Sequence, residues 1–522
     1  MTKACPFFLL LWICCCGLNC KEAGGDGPAK AETPTKTKSQ AAPKTPSQTP
    51  AKTENEGAPA APTAPAASAA DKAPPPPLKP AQDSKPKKFK FSGYTRHRYY
   101  RDLEREHPSE HADELRNDLR LTGEFDPTST VKLLVSVDGR LDPVRSDREG
   151  FTLEEERLRL WEAYVKASMG PVDLRVGRQV IRWGKSDELN PIDNFTPEDF
   201  SEFINFDRAE RKLPAWMVRA DFQINKEFTY ETVWQPFFEP DVLPPKNSDW
   251  YFPGLRAFKS VGFLVDKNGA SRADSKTKDV QAALGFTLSK NEPPRTLRRH
   301  VFANRMLYSG KLFDMGLSYA YHYNQIPAPH LRAPRLLVFA PPLIVFRPPL
   351  VEYGYHRQNS FGLDFETTAK GIGFRGEGAF TTGDRFTTTS PFNADRLTSR
   401  DSLTFVVGAD YTFKNDIYLN MQYSGKYVFD YSRDLRPVHQ YEDSIIANIS
   451  RNFLRDDLKL ALNVRYSFKK PVGYYIAPEL QYRLNDYARL RFFVNLFGGD
   501  KQSTFGQFEQ NDQVGLEVKF TF

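Results

Sequence analysis

Cysteine is almost absent from this 522-residue sequence, and all five cysteines lie within the first twenty residues. The rest of the chain therefore has no thiol for a disulfide or a thiolate metal site, and no CxxCH motif is present for covalent haem. The mean hydropathy is −0.56 and no apolar run is as long as a membrane-spanning helix, which excludes a helical membrane protein. A net charge of +7 is mild for this length and gives no indication of a nucleic-acid partner.

Catalytic and metal-binding patterns are also lacking. The eight histidines are scattered, and none stands beside a nucleophile motif in the sequence. Asp187, Asn190 and Asp193 have a spacing that matches no known calcium loop, so capping or turn roles are favoured. We therefore predict that the protein is not an enzyme and has no resident cofactor or metal.

The amino-terminal part differs in composition from everything that follows. Residues 1–20 have a positive start at Lys3 and an apolar core, which is typical of a signal peptide. Cys20 is a candidate for lipidation, but Asn19 fits the usual pattern poorly and plain cleavage is favoured. Residues 21–87 are rich in Pro, Ala and Lys and predict a disordered periplasmic linker. A plain spacer is favoured over a contact with peptidoglycan through its lysines.

From residue 88 to residue 522, apolar and polar side chains alternate in short segments. Tight turns of Gly, Pro, Asn and Asp alternate with long connections, which is typical of outer-membrane barrels with short periplasmic turns and long outer loops. We predict an all-β fold, a transmembrane antiparallel β-barrel of about 18 strands, with about 16 as the alternative. The apolar face of each strand is assigned to lipid and the polar face to the lumen. For the last strand, residues 513–522, a soluble sandwich is the disfavoured alternative.

One hairpin and the carboxyl terminus carry a family resemblance. The hairpin resembles alginate-export-type outer-membrane porins and their relatives of uncharacterised substrate in the segments Glu162-Ala163-Tyr164-Val165, Gly177-Arg178-Gln179 and Trp183-Gly184. The resemblance implies a barrel of this size that passes solutes passively. Because the sequence after Gly184 departs from that of the alginate exporters, we do not infer polysaccharide transport for this protein from the resemblance. The terminal Phe522 resembles the closing residue of such barrels, which implies a membrane-insertion signal.

Charged and polar side chains of four neighbouring strands are candidates for a constriction. These residues are Glu162, Arg175, Arg178, Gln179, Arg219, Asp221 and Glu231. The alternation of side chains along neighbouring strands predicts that Glu162 faces Arg175 and that Arg219 faces Glu231. A selectivity ring and a ladder of structural ion pairs both fit this pattern. Acidic and basic lumen positions are about equally frequent, which favours neutral or zwitterionic solutes over polyanions.

Two loops are distinctive. Thr196 as an N-cap, followed by Pro197, predicts a short helix whose apolar face carries Phe200 and Phe203 and which folds into the mouth or lumen. Residues 327–353 are strongly apolar and are expected to cover the lumen or to collect hydrophobic solutes.

These patterns predict a porin-like channel for the passive passage of small solutes, either neutral or hydrophobic. The alternatives are a non-conducting barrel that acts as a sheath, scaffold or adhesin and, less favoured, a barrel enzyme. The predicted location is the bacterial outer membrane. The expected partners are outer-membrane lipid, lipopolysaccharide and the barrel-insertion machinery. No nucleic-acid partner is expected, and the sequence gives no prediction of the oligomeric state.

Overall fold

The structure is a computed structural model that describes residues 89–103, 113–141, 157–203, 208–244, 250, 287–291, 296–332, 335–338, 344–347, 350–388, 397–436 and 439–522. The signal peptide, Cys20 and the linker lie outside these ranges and remain predictions. In the described part, 18 antiparallel strands close into a barrel. They are β1 (Lys90–Asp102), β2 (Asp113–Phe125), β3 (Val131–Leu141), β4 (Arg157–Met169), β5 (Val172–Gln179), β6 (Ala215–Gln223), β7 (Phe228–Gln235), β8 (Val301–Ser309), β9 (Phe313–Tyr323), β10 (Arg357–Ala369), β11 (Ile372–Thr388), β12 (Leu397–Thr412), β13 (Ile417–Val428), β14 (Tyr441–Phe453), β15 (Leu458–Ser467), β16 (Gly473–Arg483), β17 (Ala488–Gly499) and β18 (Gln513–Thr521).

Each strand pairs with its neighbour in the chain, and β18 pairs with β1 to close the sheet. At the seam, the backbone groups of Gly93 and Phe522 exchange hydrogen bonds of 2.9 and 3.0 Å. A Cβ at position 93 would lie 2.9 Å from the Phe522 ring and 2.3 Å from the Arg120 carbonyl oxygen, so only glycine fits there. The strand count confirms the predicted fold class with 18 strands rather than 16.

The outer face of the barrel carries large apolar side chains at every second position. Leu317 and Phe361 on neighbouring strands are 53% and 51% exposed, and Val407 and Leu516 farther around the wall are also exposed. Aromatic rings meet on this surface, for example Tyr319 and Phe361 with ring centroids 5.2 Å apart. In water such a belt would be unfavourable, whereas hydrocarbon accepts it, so the exterior fits a bilayer.

Smaller elements lie in the long connections. A short helix, α1, spans Arg208–Arg211. Among the described residues no helix is long and apolar enough to cross a membrane. Within the apolar segment 327–353, Ala328–Arg332 pairs with Leu350–Gly354, and Arg335–Val338 pairs with Ile344–Arg347. Whether this segment covers the lumen lies outside what the structure describes.

Candidate functional site

The connection between β5 and β6, described over residues 180–203 and 208–214, folds into the barrel and is called the inserted loop below. Its large apolar side chains Trp183, Ile192 and Phe195 are almost completely buried, and the Trp183 and Phe195 rings pack with centroids 4.6 Å apart. They belong to one cluster with small inward-facing side chains of the wall, including Ala303 and Ala320. The prediction of a polar lumen on every strand is therefore wrong here, because the inner face is apolar where the loop packs.

One end of the inserted loop is fixed to the wall formed by β11 and β13. Asp187 accepts hydrogen bonds from Arg375 at 2.8 and 2.9 Å. The same carboxylate accepts from the amides of Asn420 and Gln422 at 2.7 and 2.9 Å. A carboxylate with this many donors is held in one orientation. Lys185 and Glu188 also hold the loop to the wall, through ion pairs with Glu366 and Arg465.

The other end is fixed to β1 and β2 by Glu202. This carboxylate is completely buried, contacts Arg116, and accepts a hydrogen bond from Arg98 at 3.3 Å. A carboxylate removed from water in this way persists only because guanidinium groups compensate its charge. Sequence patterns did not single out Glu202, because Arg98 lies 104 residues earlier in the chain.

Glu210, in α1, makes a second contact with the same side of the wall. It forms an ion pair with Arg96 on β1 and a 3.0 Å ion pair with Lys519 on β18. Burial raises the pKa of Glu210, but the positive charges of Arg96 and Lys519 outweigh this effect and hold that pKa at about 2. The carboxylate is therefore ionised at neutral pH. Glu202 and Glu210, called the anchor carboxylates below, complete a loop that crosses the lumen between two walls.

The wall behind the anchor carboxylates is rich in arginine. Asp118 on β2 accepts from Arg96 at 2.9 Å, from Arg98 at 2.6 Å and from Arg140 at 3.2 Å. Asp118 is only 5% exposed, so these contacts are largely shielded from water. One wall carboxylate thus serves three guanidinium groups, and the loop supplies the remaining negative charge.

The predicted helix beginning at Thr196 is wrong. The Thr196 hydroxyl donates to the Asp193 carboxylate at 3.1 Å and lies 2.9 Å from the Lys212 ammonium group, so it caps no helix. The following residues are extended and form isolated bridges, with the Phe200 N–H donating to the Val242 carbonyl at 2.8 Å. Phe200 and Phe203 do line the lumen, but Phe200 directly follows a bridged segment and Phe203 lies in a turn.

Three of the predicted constriction residues lie together beneath the inserted loop. Arg219 is 2.9 Å from Asp221 and 3.2 Å from Glu231, and the Trp183 indole N–H donates to Glu231 at 2.9 Å. The predicted contact between Arg219 and Glu231 is present. Because Glu231 is 2% exposed and covered by Trp183, this group fits the ladder of structural ion pairs rather than a ring facing a solute.

The predicted contact between Glu162 and Arg175 is not formed. Arg175 lies opposite Lys166 in the β4–β5 register, and its guanidinium group sits 5.0 Å from the centre of the Tyr164 ring. Glu162 instead accepts a hydrogen bond of 2.9 Å from the Val180 N–H at the start of the inserted loop. Glu162 thus helps to direct the chain inward.

Arg178 and Gln179 lie on opposite faces of β5. Arg178 pairs with Trp216, which is exposed on the outer face, and forms a 3.0 Å ion pair with Glu239. Its predicted lumen position is therefore wrong, because alternation along β5 puts Arg175 and Arg178 on different sides. Gln179 points inward, is fully buried and donates to the Met217 carbonyl at 3.2 Å.

A cavity of about 330 Å³ lies between the inserted loop and the strands β9 to β15. Part of its charged lining is arranged in pairs of opposite sign. Lys426 lies 3.0 Å from Asp384, and Arg211 lies 2.8 Å from Glu198. No group of three or more acidic, histidine or cysteine side chains suited to a metal ion occurs within the described ranges. The cavity therefore offers a solute both signs of charge.

A carboxyl group in the connection that follows β7 contacts the inserted loop and has a strongly raised pKa. Asp241 accepts a 2.7 Å hydrogen bond from the Glu198 N–H. Burial, and after it the negative charge of Glu198, raises the pKa of Asp241 to about 8. The closed loop keeps this proton up to about pH 8, whereas an open loop releases it near the ordinary value of 3.8. The contact between Asp241 and the loop is therefore most stable below about pH 3.8, and it loses stability as the pH rises toward about 8.

Hydrogen exchange should reveal this dependence. Protection of the backbone amides from Glu198 to Phe200, corrected for intrinsic rate, should fall as the pH is raised from about 5 to about 9. Asp241→Asn keeps the acceptor oxygen without the ionisation, so its protection should be nearly constant over this range. The same fall in wild type and variant would show that Asp241 does not control the contact.

Comparison with known proteins gives similarity in fold at low identity. OccAB1 of Acinetobacter baumannii is 10% identical with a TM-score of 0.47, covering 83% of this chain and 96% of that one. OccAB3 of the same organism is 12% identical with a TM-score of 0.46, covering 83% of this chain and 99% of that one. OccK5 (OpdH) of Pseudomonas aeruginosa is 13% identical with a TM-score of 0.44, covering 83% of this chain and 98% of that one. At such identities the function of these proteins is not transferred.

No curated protein matches the chain. The comparisons do not show the alginate-export type specifically, and the family model that matches is one of unknown function. Its match extends over residues 77–522, which include the complete barrel and the inserted loop. The chain therefore belongs to the family described as "Protein of unknown function (DUF1302)".

Proposed function

We propose that this protein is a porin-like channel of the bacterial outer membrane that passes small solutes passively and with little preference for charge. One observation carries the proposal: a closed barrel with an apolar exterior holds a loop across its lumen, and a cavity lined by charge pairs remains beside that loop. A lumen narrowed by an inserted loop restricts the size of the solute without closing the barrel.

The paired charges account for the weak selectivity. Three of the cations that line the cavity, Arg211, Lys426 and Arg465, each form an ion pair with a carboxylate. The fields of the two signs offset each other well within the Debye length of about 8 Å at physiological salt. A small ion of either sign therefore gains little, and size and polarity decide which solutes pass.

Planar bilayers test the channel directly. The purified full-length protein should insert with discrete conductance steps, and its reversal potential in a KCl gradient should lie close to zero. Heat-denatured protein in the same detergent is the control. A folded protein that inserts but never conducts would reject the channel and favour a non-conducting barrel.

The non-conducting sheath, scaffold or adhesin is the second candidate, because one observation favours it. Trp183, Ile192 and Phe195 fill part of the lumen with a dry apolar cluster. If this cluster extended across the whole section, the barrel would present surfaces rather than a passage. For both candidates we also propose that the barrel contacts lipopolysaccharide and that Phe522 is recognised by the insertion machinery. The linker is proposed to contact peptidoglycan in both cases.

Catalysis has less support in the geometry. The structure does bring a hydroxyl to a histidine, because His322 Nε2 lies 2.9 Å from Ser360 Oγ. Ser360 also accepts from Asn194 at 2.8 Å and bonds Thr381 at 2.9 Å, and it is 4% exposed. A hydroxyl with three partners and almost no accessible surface is part of the wall rather than a nucleophile.

A further inference from the structure

Five consecutive strands each place at least one hydroxyl side chain in the lining of the cavity, and one from each strand is considered below. The residues, from β11 to β15, are Thr381, Ser402, Ser424, Ser444 and Ser467. In the strand register Thr381 lies opposite Ser402, and Ser444 lies opposite both Ser424 and Ser467. Because Ser402 lies opposite Val428 and Ser424 lies opposite Val406, the five residues form two groups on neighbouring strands. Together they are called the hydroxyl row below.

The hydroxyl row keeps unused hydrogen-bonding capacity. Ser424 and Ser444 are 2.7 Å apart and bond to each other, and Ser402 donates to Asp384 at 3.1 Å. A hydroxyl has one donor hydrogen and two acceptor lone pairs, so one bond to a neighbour leaves each oxygen able to accept again. Such a wall suits a solute that carries several hydroxyl groups of its own.

The cavity has a second wall of different character. Phe200 and Phe203 reach it from the inserted loop, and Phe386 and Phe505 line it as well. Phe203 packs on Phe508 with ring centroids 5.0 Å apart, which fixes its orientation. A solute between an aromatic wall and the hydroxyl row would place C–H groups against the rings and O–H groups against the serines.

Two amide side chains in the lining add an independent indication of a ligand. Both amide atoms of Gln325 and the Oδ1 atom of Asn194 are buried and have no hydrogen-bond partner among the described residues. Buried polar groups without partners are unfavourable and are usually satisfied by something bound. An amide that offers both a donor and an acceptor matches a hydroxyl group, which is both.

We propose that this cavity binds small, uncharged, polyhydroxylated solutes of about six carbons as they pass, an inference that rests on the proposed channel. The cavity volume of 330 Å³ lies at the small end of the range for ligand pockets. Beside the hydroxyl row an ion is disfavoured, because Lys426 and Asp384 there already neutralise each other. An ion would lose hydration there without gaining a free countercharge.

Three solutes with the same six-carbon polyol skeleton test the inference: sorbitol, gluconate and N-methylglucamine. Sorbitol should reduce the single-channel current with saturating concentration dependence. The anion and the cation should give only a gradual, non-saturating reduction. In the Ser424→Ala/Ser444→Ala variant, half-saturation should require roughly thirtyfold more sorbitol, because two hydrogen bonds worth together about 2 kcal/mol are lost.

A matched control is available elsewhere in the wall. Thr122 and Ser136 form a hydroxyl pair of 2.9 Å between β2 and β3, away from the cavity. Thr122→Val/Ser136→Ala should leave the sorbitol dependence unchanged. Heat-modifiable electrophoretic migration should show that both variants fold.

The outcomes separate the two proposals. Conduction in KCl without saturation by sorbitol, or equal saturation by all three solutes, would overturn the polyol site and leave the channel intact. If the protein never conducts, the channel proposal fails, and saturation-transfer NMR of sorbitol with the barrel in micelles decides the site alone. A transfer signal lost in Ser424→Ala/Ser444→Ala but kept in the control would support it, whereas no signal in the wild type would reject it.

Discussion

Replacing both anchor carboxylates, as Glu202→Gln/Glu210→Gln, should raise the single-channel conductance severalfold and convert weak selectivity into anion preference. The two carboxylates fix one end of the inserted loop to Arg98, Arg96 and Lys519. Without their charges the loop loses its ion pairs on this side and moves away from the wall. The exposed wall then carries more positive than negative charge, and a cationic surface in a lumen attracts anions. Bilayer recordings in a KCl gradient measure both effects.

Loss of a negative charge elsewhere in the wall provides the control. Asp173 forms a 2.9 Å ion pair with Lys166 near the short turn between β4 and β5, with no contact to the inserted loop in the described structure. Asp173→Asn should therefore change the reversal potential only slightly and leave the conductance as in the wild type. If the double variant at the anchor carboxylates also keeps the wild-type conductance, the loop is held mainly by its apolar cluster around Trp183 and Phe195.

Alternation and turn chemistry were enough to predict the barrel. The hydrophobic period of two sets which side of each strand meets lipid, and the tight turns set where each strand ends. Leu317 and Tyr319, predicted to face lipid, do lie on the outer face, with His322 and Ala320 buried on the inner one. These are local properties, so a single sequence carries them.

The arrangement inside the lumen was not predictable in the same way. The partners of Asp187 and Glu188 lie 188 and 277 residues farther along the chain, and no periodic pattern relates them. Thr196 followed by Pro197 has the composition of a helix start, but Asp193 and Lys212 take the threonine hydroxyl, and tertiary contacts override the local preference. Local rules therefore predict the wall, and the path of a loop through the lumen depends on charges brought together by the closed barrel.

Asp118→Asn should destabilise the barrel more than any exposed charge change, by about 3–5 kcal/mol. The carboxylate is 5% exposed and accepts from Arg96, Arg98 and Arg140. Removing its charge leaves three guanidinium groups close together with one carboxylate fewer to neutralise them. Breaking a buried pair on one side costs more than the pair contributes, because the remaining charge has neither its partner nor water. Urea unfolding in lipid vesicles, followed by tryptophan fluorescence, gives the free energy.

Asp457→Asn is the matched comparison, because it removes the same kind of contact at an exposed site. Asp457 pairs with Arg483 at 2.7 Å, and both side chains are more than 40% exposed. Water replaces the lost partner there, so the change in unfolding free energy should stay below about 1 kcal/mol. Equal effects at the two sites would mean that water enters the wall around Asp118 and screens its arginines. In that case the anchor carboxylates Glu202 and Glu210 would also contribute little to holding the loop, and the conductance change expected of their replacement should be small as well.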